Sequence, residues 1–190
     1  MTKNIIIAGV GGQGTLLASK LMGKVFTELG YDVKVSEVHG MSQRGGSVVT
    51  YVRFGEKVWS ALIEDGEADI VLSFEQLEMA RWLPALKPDG VMITNTQKMD
   101  PMSVITGVAK YPEKIIEKVR EMGVNVVDVD ALGLATKAGS VRCVNLVLLG
   151  VCAKYLGIEK EVWEKAIRET VPEKTIDMNI FAFNLGYSVE

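Results

Sequence analysis

Apolar and polar positions along this chain switch repeatedly between two periods, and the switches mark its elements. Residues Asn4-Ile5-Ile6-Ile7-Ala8 form an apolar run rich in β-branched side chains and too short for a helix, which predicts a buried strand. Glycines follow at once. From Gln13 the spacing becomes helical: Leu17, Leu21, Val25 and Leu29 share one stripe, Met22 and Phe26 widen it, and Gly30 ends it. A second strand is expected over Asp32 to His39, so the chain opens with a βαβ unit whose crossover should be right-handed.

Strand character resumes at Ser47 and runs to Phe54, with a turn at Gly55-Glu56 from which Val58 to Ile63 could pair back as a hairpin. Ala68 to Phe74 and Gly90 to Thr94 read as further buried strands around a helix from Glu75 to about Leu86, which stops near Pro88. An amphipathic helix over Glu113 to Met122 then leads through Gly123 into a strand at Val124 to Val129. This alternation predicts an α/β fold, a Rossmann-like and mostly parallel sheet with helices on both faces. The last third differs in kind. Arg142 to Leu156 is apolar nearly all round and predicts a buried helix capped by Gly157, followed by helices near Glu159 to Glu169 and Ile176 to Tyr187. With no repeat or linker-like stretch, residues 1–190 are read as one domain with a helical C-terminal region.

Composition narrows the class. Hydrophobic residues make up 48% and charged residues 24% of the chain, enough apolar surface to fold one core. A net charge of −3 and a pI near 5.4 argue against a nucleic-acid groove, which clustered lysine and arginine would line. No segment reaches the roughly 18 consecutive apolar residues of a membrane span, and the N-terminus lacks the signal-peptide pattern, so a cytoplasmic protein off the membrane is expected. The two cysteines, Cys143 and Cys152, fall inside the predicted apolar helix and read as small buried hydrophobes. Two isolated cysteines do not hold an iron–sulfur cluster or a structural zinc by themselves.

Gly9-Val10-Gly11-Gly12-Gln13-Gly14 fits G-x-G-x-x-G between a buried strand and an amphipathic helix. There the glycines permit a tight turn, close approach of backbone to a phosphate and close helix packing, and helix N-terminal amides face the anion. A dinucleotide site would add an acidic residue at the end of the second strand; Glu37 is near that place, though an outward-facing structural role fits it equally well. The stretch His39-Gly40-Met41-Ser42-Gln43-Arg44-Gly45-Gly46 follows the same strand, so its loop and the glycine turn should face one crevice. Ser42, Gln43 and Arg44 supply hydrogen-bond donors, and an arginine beside two glycines brings a planar charged fork to a phosphate or carboxylate. His39, the sole histidine, has no nucleophile or orienting carboxylate at a recognisable spacing, and no catalytic residue is assigned. Met41, Met99 and Met102 lie outside the core stripes and fit either core filling or an adaptable apolar interface.

These residues resemble a known family, the gamma subunits and gamma domains of 2-oxoacid:ferredoxin oxidoreductases, and most closely the beta subunits of the indolepyruvate branch. The likeness is carried by the glycine turn, by Ser36 to Val48, by the helix with Asn145 to Gly150, and by Asn179 to Tyr187. Gln-Arg-Gly-Gly after Glu-Val-His-Gly is far more specific than the turn itself. The resemblance implies oxidative decarboxylation of a 2-oxoacid, indolepyruvate or another arylpyruvate, to an acyl-coenzyme A, with electrons passing to ferredoxin. It implies a larger partner subunit carrying thiamine diphosphate and iron–sulfur clusters, none held by this chain, which would be inactive alone. It further implies that Gly9, Gly11, Gly12, Gln13, Gly14, Ser42, Gln43, Arg44, Gly45 and Gly46 border the cleft where coenzyme A enters as cosubstrate. Two other readings use the same turn: a stand-alone NAD(P)-dependent dehydrogenase, with Lys137 as a substitute proton donor, and a nucleotide-binding regulatory module. An adenylating enzyme of the ubiquitin-activating type is set aside because no Asn-Arg-Gln segment follows the second strand.

Overall fold

A computed structural model describes residues 2–39 and 45–189, with His39 described in its backbone alone. Six strands form one sheet: β1 (Lys3–Val10), β2 (Asp32–His39), β3 (Ser47–Gly55), β4 (Ala68–Ser73), β5 (Leu86–Asn95) and β6 (Asn125–Val129), in the order β2-β3-β1-β4-β5-β6. β1, β4, β5 and β6 pair in parallel, and β3 alone runs against its neighbours. The sheet is therefore mostly parallel, as the alternation of elements predicts.

One expectation needs correction, and the opening βαβ unit takes a form its sequence leaves open. β2 does not lie beside β1: β3 is inserted between them, paired with β1 from Lys3↔Phe54 to Val10↔Ser47 and with β2 from Asp32↔Gly55 to His39↔Val48. The crossover helix α1 (Thr15–Glu28) thus leads to the edge of the sheet, and β2 and β3 form the hairpin. Val58 to Ile63 forms no strand, because both edges of β3 are already occupied. This segment instead drops Val58 and Ile63 into the interior and is held by Val58 N–H donating to Asp32 at 3.0 Å and by Arg53 donating to the Leu62 carbonyl at 2.5 Å.

The two-residue period of the strands sorts their side chains onto two cores. Ile5 and Ile7 of β1, Ile70 and Leu72 of β4, and Val91 and Ile93 of β5 face one layer, while Ile6, Val71 and Met92 face the other. The first layer is built on α1, α6 (Val144–Leu156), α7 (Lys160–Thr170) and α8 (Ile176–Tyr187), the second on α2 (Gln76–Arg81) and α4 (Ile115–Glu121). The remaining helices are α3 (Met102–Ile105), a single turn, and α5 (Ala131–Lys137), which the hydrophobic pattern does not reveal. α6 is buried along nearly its whole length, which explains why its sequence is apolar all round. It crosses α8 with backbone against backbone: a Cβ on Gly150 would collide with the Phe183 carbonyl, and one on Gly186 with the Val147 carbonyl. Cys143 sits at the start of this helix and Cys152 inside it, both buried and free. Burial pushes the Cys152 thiol up to about 12 and raises that of Cys143. Among the described residues no helix is long and apolar enough to cross a membrane.

Candidate functional site

β1 ends at Val10, where the chain must reverse onto α1 within a few residues. Gly12 and Gly14 take φ of 102° and 89°, left-handed values that glycine adopts without steric cost. Gly14 caps α1 without a side chain, so the amides of the first helical turn have no intrahelical partner and face outward. The loop after β2 meets this turn directly: Gly11 N–H donates to the Gly46 carbonyl at 2.8 Å, and Gly45 N–H to the Gly11 carbonyl at 3.2 Å. The two glycine-bearing loops are therefore stitched together at the carboxyl edge of the sheet. Gly40, Met41, Ser42, Gln43 and Arg44, together with the His39 side chain, lie outside the described residues.

The turn divides its labour. Gly9 is still in β1, and its missing side chain leaves room for Gln13, Phe74 and Thr15, all about 3 Å from where a Cβ would stand. The amides of Gly11 and Gly45 are consumed in joining the loops, and Gln13 N–H donates to the Val10 carbonyl at 3.2 Å. Gln13 is committed on both sides of its amide. Its Oε1 accepts from Val10 N–H at 2.7 Å, and its Nε2 donates to the Phe74 carbonyl and the Met99 sulfur, each at 3.2 Å. Among the described residues, the amides without a partner are those of Gly12, Gly14 and the first turn of α1.

Two clefts open on either side. One, of about 580 Å³, lies between the turn, Met99 and the residues entering α6, including Val141 and Arg142. The other, of about 380 Å³, lies between the turn, Leu16, Val48 and Glu37. Glu37 thus reaches the turn's neighbourhood, but from the edge strand with β3 between, whereas a dinucleotide fold sets its acidic strand directly beside the first. A third hollow, about 450 Å³, sits at the opposite, amino edge among Lys3, Tyr31, Asp89 and Tyr155. It lies away from both the glycine turn and the loop after β2.

Several residues of the site escape sequence reading. Arg142 is exposed at the rim of the larger cleft; the arginines that pair with carboxylates among the described residues are Arg81 and Arg120. Its one sequence signal is a charge at the polar entry to an otherwise apolar helix. Asn145 is buried, donates to the Gly14 carbonyl at 3.3 Å and accepts from Leu146 N–H at 2.9 Å, so it ties the start of α6 to the start of α1. Asn95, fully buried at the end of β5, donates to the Phe74 carbonyl at 3.3 Å and accepts from Ala131 N–H at 3.2 Å, which fixes the entry of α5. Glu78 accepts from the Ser47 hydroxyl at 2.5 Å beneath the second loop; burial raises its pKa, and the Ser47 bond and Arg81 oppose that rise. Among the described residues no three His, Cys, Asp or Glu side chains gather as a metal site.

A glycine turn opening a helix at the carboxyl edge of an open α/β sheet, with a second loop joined to it, is the place where open α/β sheets of this class bind their ligands. The family comparison gives the particular case. The chain belongs to the pyruvate ferredoxin/flavodoxin oxidoreductase family, whose model matches residues 4–189. It is similar to indolepyruvate oxidoreductase subunit IorB of Thermococcus kodakarensis, 45% identical with 96% of this chain and 93% of the relative covered. The counterpart in Pyrococcus horikoshii is 43% identical over the same shares. Among solved structures, pyruvate oxidoreductase subunit PORC of Thermotoga maritima shares the fold, with a TM-score of 0.75 at 24% identity over 98% of this chain and 95% of that one. So does 2-oxoglutarate:ferredoxin oxidoreductase of Magnetococcus marinus, with a TM-score of 0.74 at 18% identity, covering 100% of this chain and 32% of that longer one. The chain is a small subunit of the 2-oxoacid:ferredoxin oxidoreductase type, and its fold is that of their gamma subunits.

Proposed function

We propose that this chain is one folded unit that assembles with a larger subunit of an indolepyruvate-type oxidoreductase and forms part of the cleft where coenzyme A meets the 2-oxoacid. The observation that carries the reading is the stitching of Gly11 to Gly46 and of Gly45 to Gly11, which gives the two loops one shared mouth. There the amides of Gly12, Gly14 and the first turn of α1, unpaired among the described residues, suit a phosphate, Arg142 adds a permanently charged fork, and Ser42, Gln43 and Arg44, in the segment between β2 and the joined Gly45, supply further donors. Gly9 and Gln13 act beneath them by holding the turn's shape. The chain's contribution is positioning and exclusion of water rather than proton transfer. In this reading thiamine diphosphate and the iron–sulfur clusters belong to the partner, where decarboxylation and electron transfer to ferredoxin occur, and the chain turns over nothing alone. The stand-alone dehydrogenase is less well supported, because β3 separates Glu37 from the first strand.

Reconstitution tests the proposal. Ferredoxin reduction dependent on both indolepyruvate and coenzyme A should be absent from the isolated chain and appear on adding the thiamine-containing subunit. Turnover by the chain alone, or by the partner alone at the same rate, would contradict it.

A further inference from the structure

Between β5 and α4 the chain makes an excursion from Met99 to Tyr111 that serves no core of its own. A single buried carboxylate closes both ends of it: Glu75 Oε1 accepts from Met99 N–H at 3.1 Å and from the Tyr111 hydroxyl. The other oxygen accepts from Leu77 N–H at 2.7 Å and Glu78 N–H at 3.0 Å, so the whole group, 1% exposed, is spent on holding backbone in place. Between these anchors the excursion is ordered by its own bonds, with Val104 and Ile105 N–H donating to the Pro101 carbonyl and Ala109 N–H to the Ser103 carbonyl.

Its side chains point the wrong way for a monomer. α3 buries none of its residues, and Met102, Ile105 and Val108 are 71%, 68% and 83% exposed. An ordered loop that displays three large apolar side chains to water at three-residue spacing, while its base is pinned by a buried carboxyl group, is built to meet another surface. The excursion starts at Met99, which lines the larger cleft and receives the Gln13 amide, so its base adjoins that cleft. The occupant follows from the reading above: relatives of 45% and 43% identity are named as subunits of an indolepyruvate oxidoreductase, so this chain has another polypeptide of such an enzyme to meet.

We propose that Met102, Ile105 and Val108 form the face on which the larger subunit of the same oxidoreductase seats, with Glu75 and Tyr111 as its fixed base. The proposal rests on the subunit reading above. The test uses the chain co-expressed with its larger subunit. The double variant Ile105→Glu and Val108→Glu should weaken their association at least hundredfold, because two charges would be carried into an apolar contact, while Trp59→Glu, at another exposed apolar position, should leave it unchanged. Both positions are exposed, so the variant should keep the native circular dichroism spectrum. As an independent readout, a benzophenone side chain at position 108 of the otherwise native complex should cross-link to the larger subunit. Native affinity in the double variant, or cross-linking to a second copy of this chain instead, would overturn the proposal. Ferredoxin reduction by the native complex reports on the subunit reading separately, so an active complex with an indifferent double variant removes only the docking face.

Discussion

Gln13 holds together three pieces of chain that are far apart in sequence, and its place inside a glycine motif hides this. The motif is visible in the sequence because its constraint is local: the φ values at Gly12 and Gly14 require glycine whatever surrounds them. The partners of Gln13, Phe74 and Met99, lie 61 and 86 residues away, and nothing in a local pattern announces them. Arg142 was hidden for a related reason, since it enters the cleft from the far end of the chain. Replacing it by alanine should raise the KM for coenzyme A about tenfold, the equivalent of ~1.4 kcal/mol for a charge-assisted contact, with kcat little changed. An unchanged KM would remove Arg142 from the site. The cysteines were legible as core residues. With its thiol held near 12 by burial, Cys152 should resist a disulfide reagent at pH 8 in the native protein and react only on unfolding, which a thiol titration with and without denaturant measures.

At the scale of elements, strands and helices with strong periodicity were legible, and what defeated reading was order and pairing. Ile5-Ile6-Ile7 announces a strand buried on both faces, but no residue of it says that β3 rather than β2 will lie alongside. α3 escaped because a single turn with no buried face has no period to detect. Two element-scale results are expected. Gly186→Ala should destabilise the protein by about 1–3 kcal/mol or more, since a methyl group there meets the Val147 carbonyl where α6 and α8 touch, and urea titration would register it. The second concerns the edge hairpin. Asp32 at the start of β2 is lowered from 3.8 to about 2, first by its bond to Lys34 and then by Val58 N–H. A lowered carboxylate pKa stabilises the fold above the unfolded value and loses that contribution as pH falls through the folded one. Stability should therefore decline between about pH 4 and pH 2, and Asp32→Asn should flatten that part of the curve. An unaltered acid limb would show that the hairpin does not depend on this residue.

Taken as a whole molecule, the chain puts its reactive-looking surface at one edge and its bulk elsewhere. Two helical layers cover the sheet faces, whereas the carboxyl edge carries the stitched loops, two open clefts and a rim of exposed Leu16 and Val141. The order of strand, turn, helix and strand in the sequence was enough to put the glycine turn and the loop after β2 at one edge, where the structure joins them. It left open which groups face outward, since that depends on which amides the loops use up on each other. The central claim is that the mouth beside Gly12 admits coenzyme A. Gly12 and Gly30 both have positive φ and nothing within 4 Å of an added Cβ, so alanine at either should impose similar backbone strain, but only at Gly12 does the methyl group enter the cleft. The direct measurement is the KM for coenzyme A in the reconstituted complex carrying Gly12→Ala, with Gly30→Ala as the reference. The account predicts a rise of about tenfold for the first, of order ~1.4 kcal/mol, and none for the second; equal values in the two variants would contradict it.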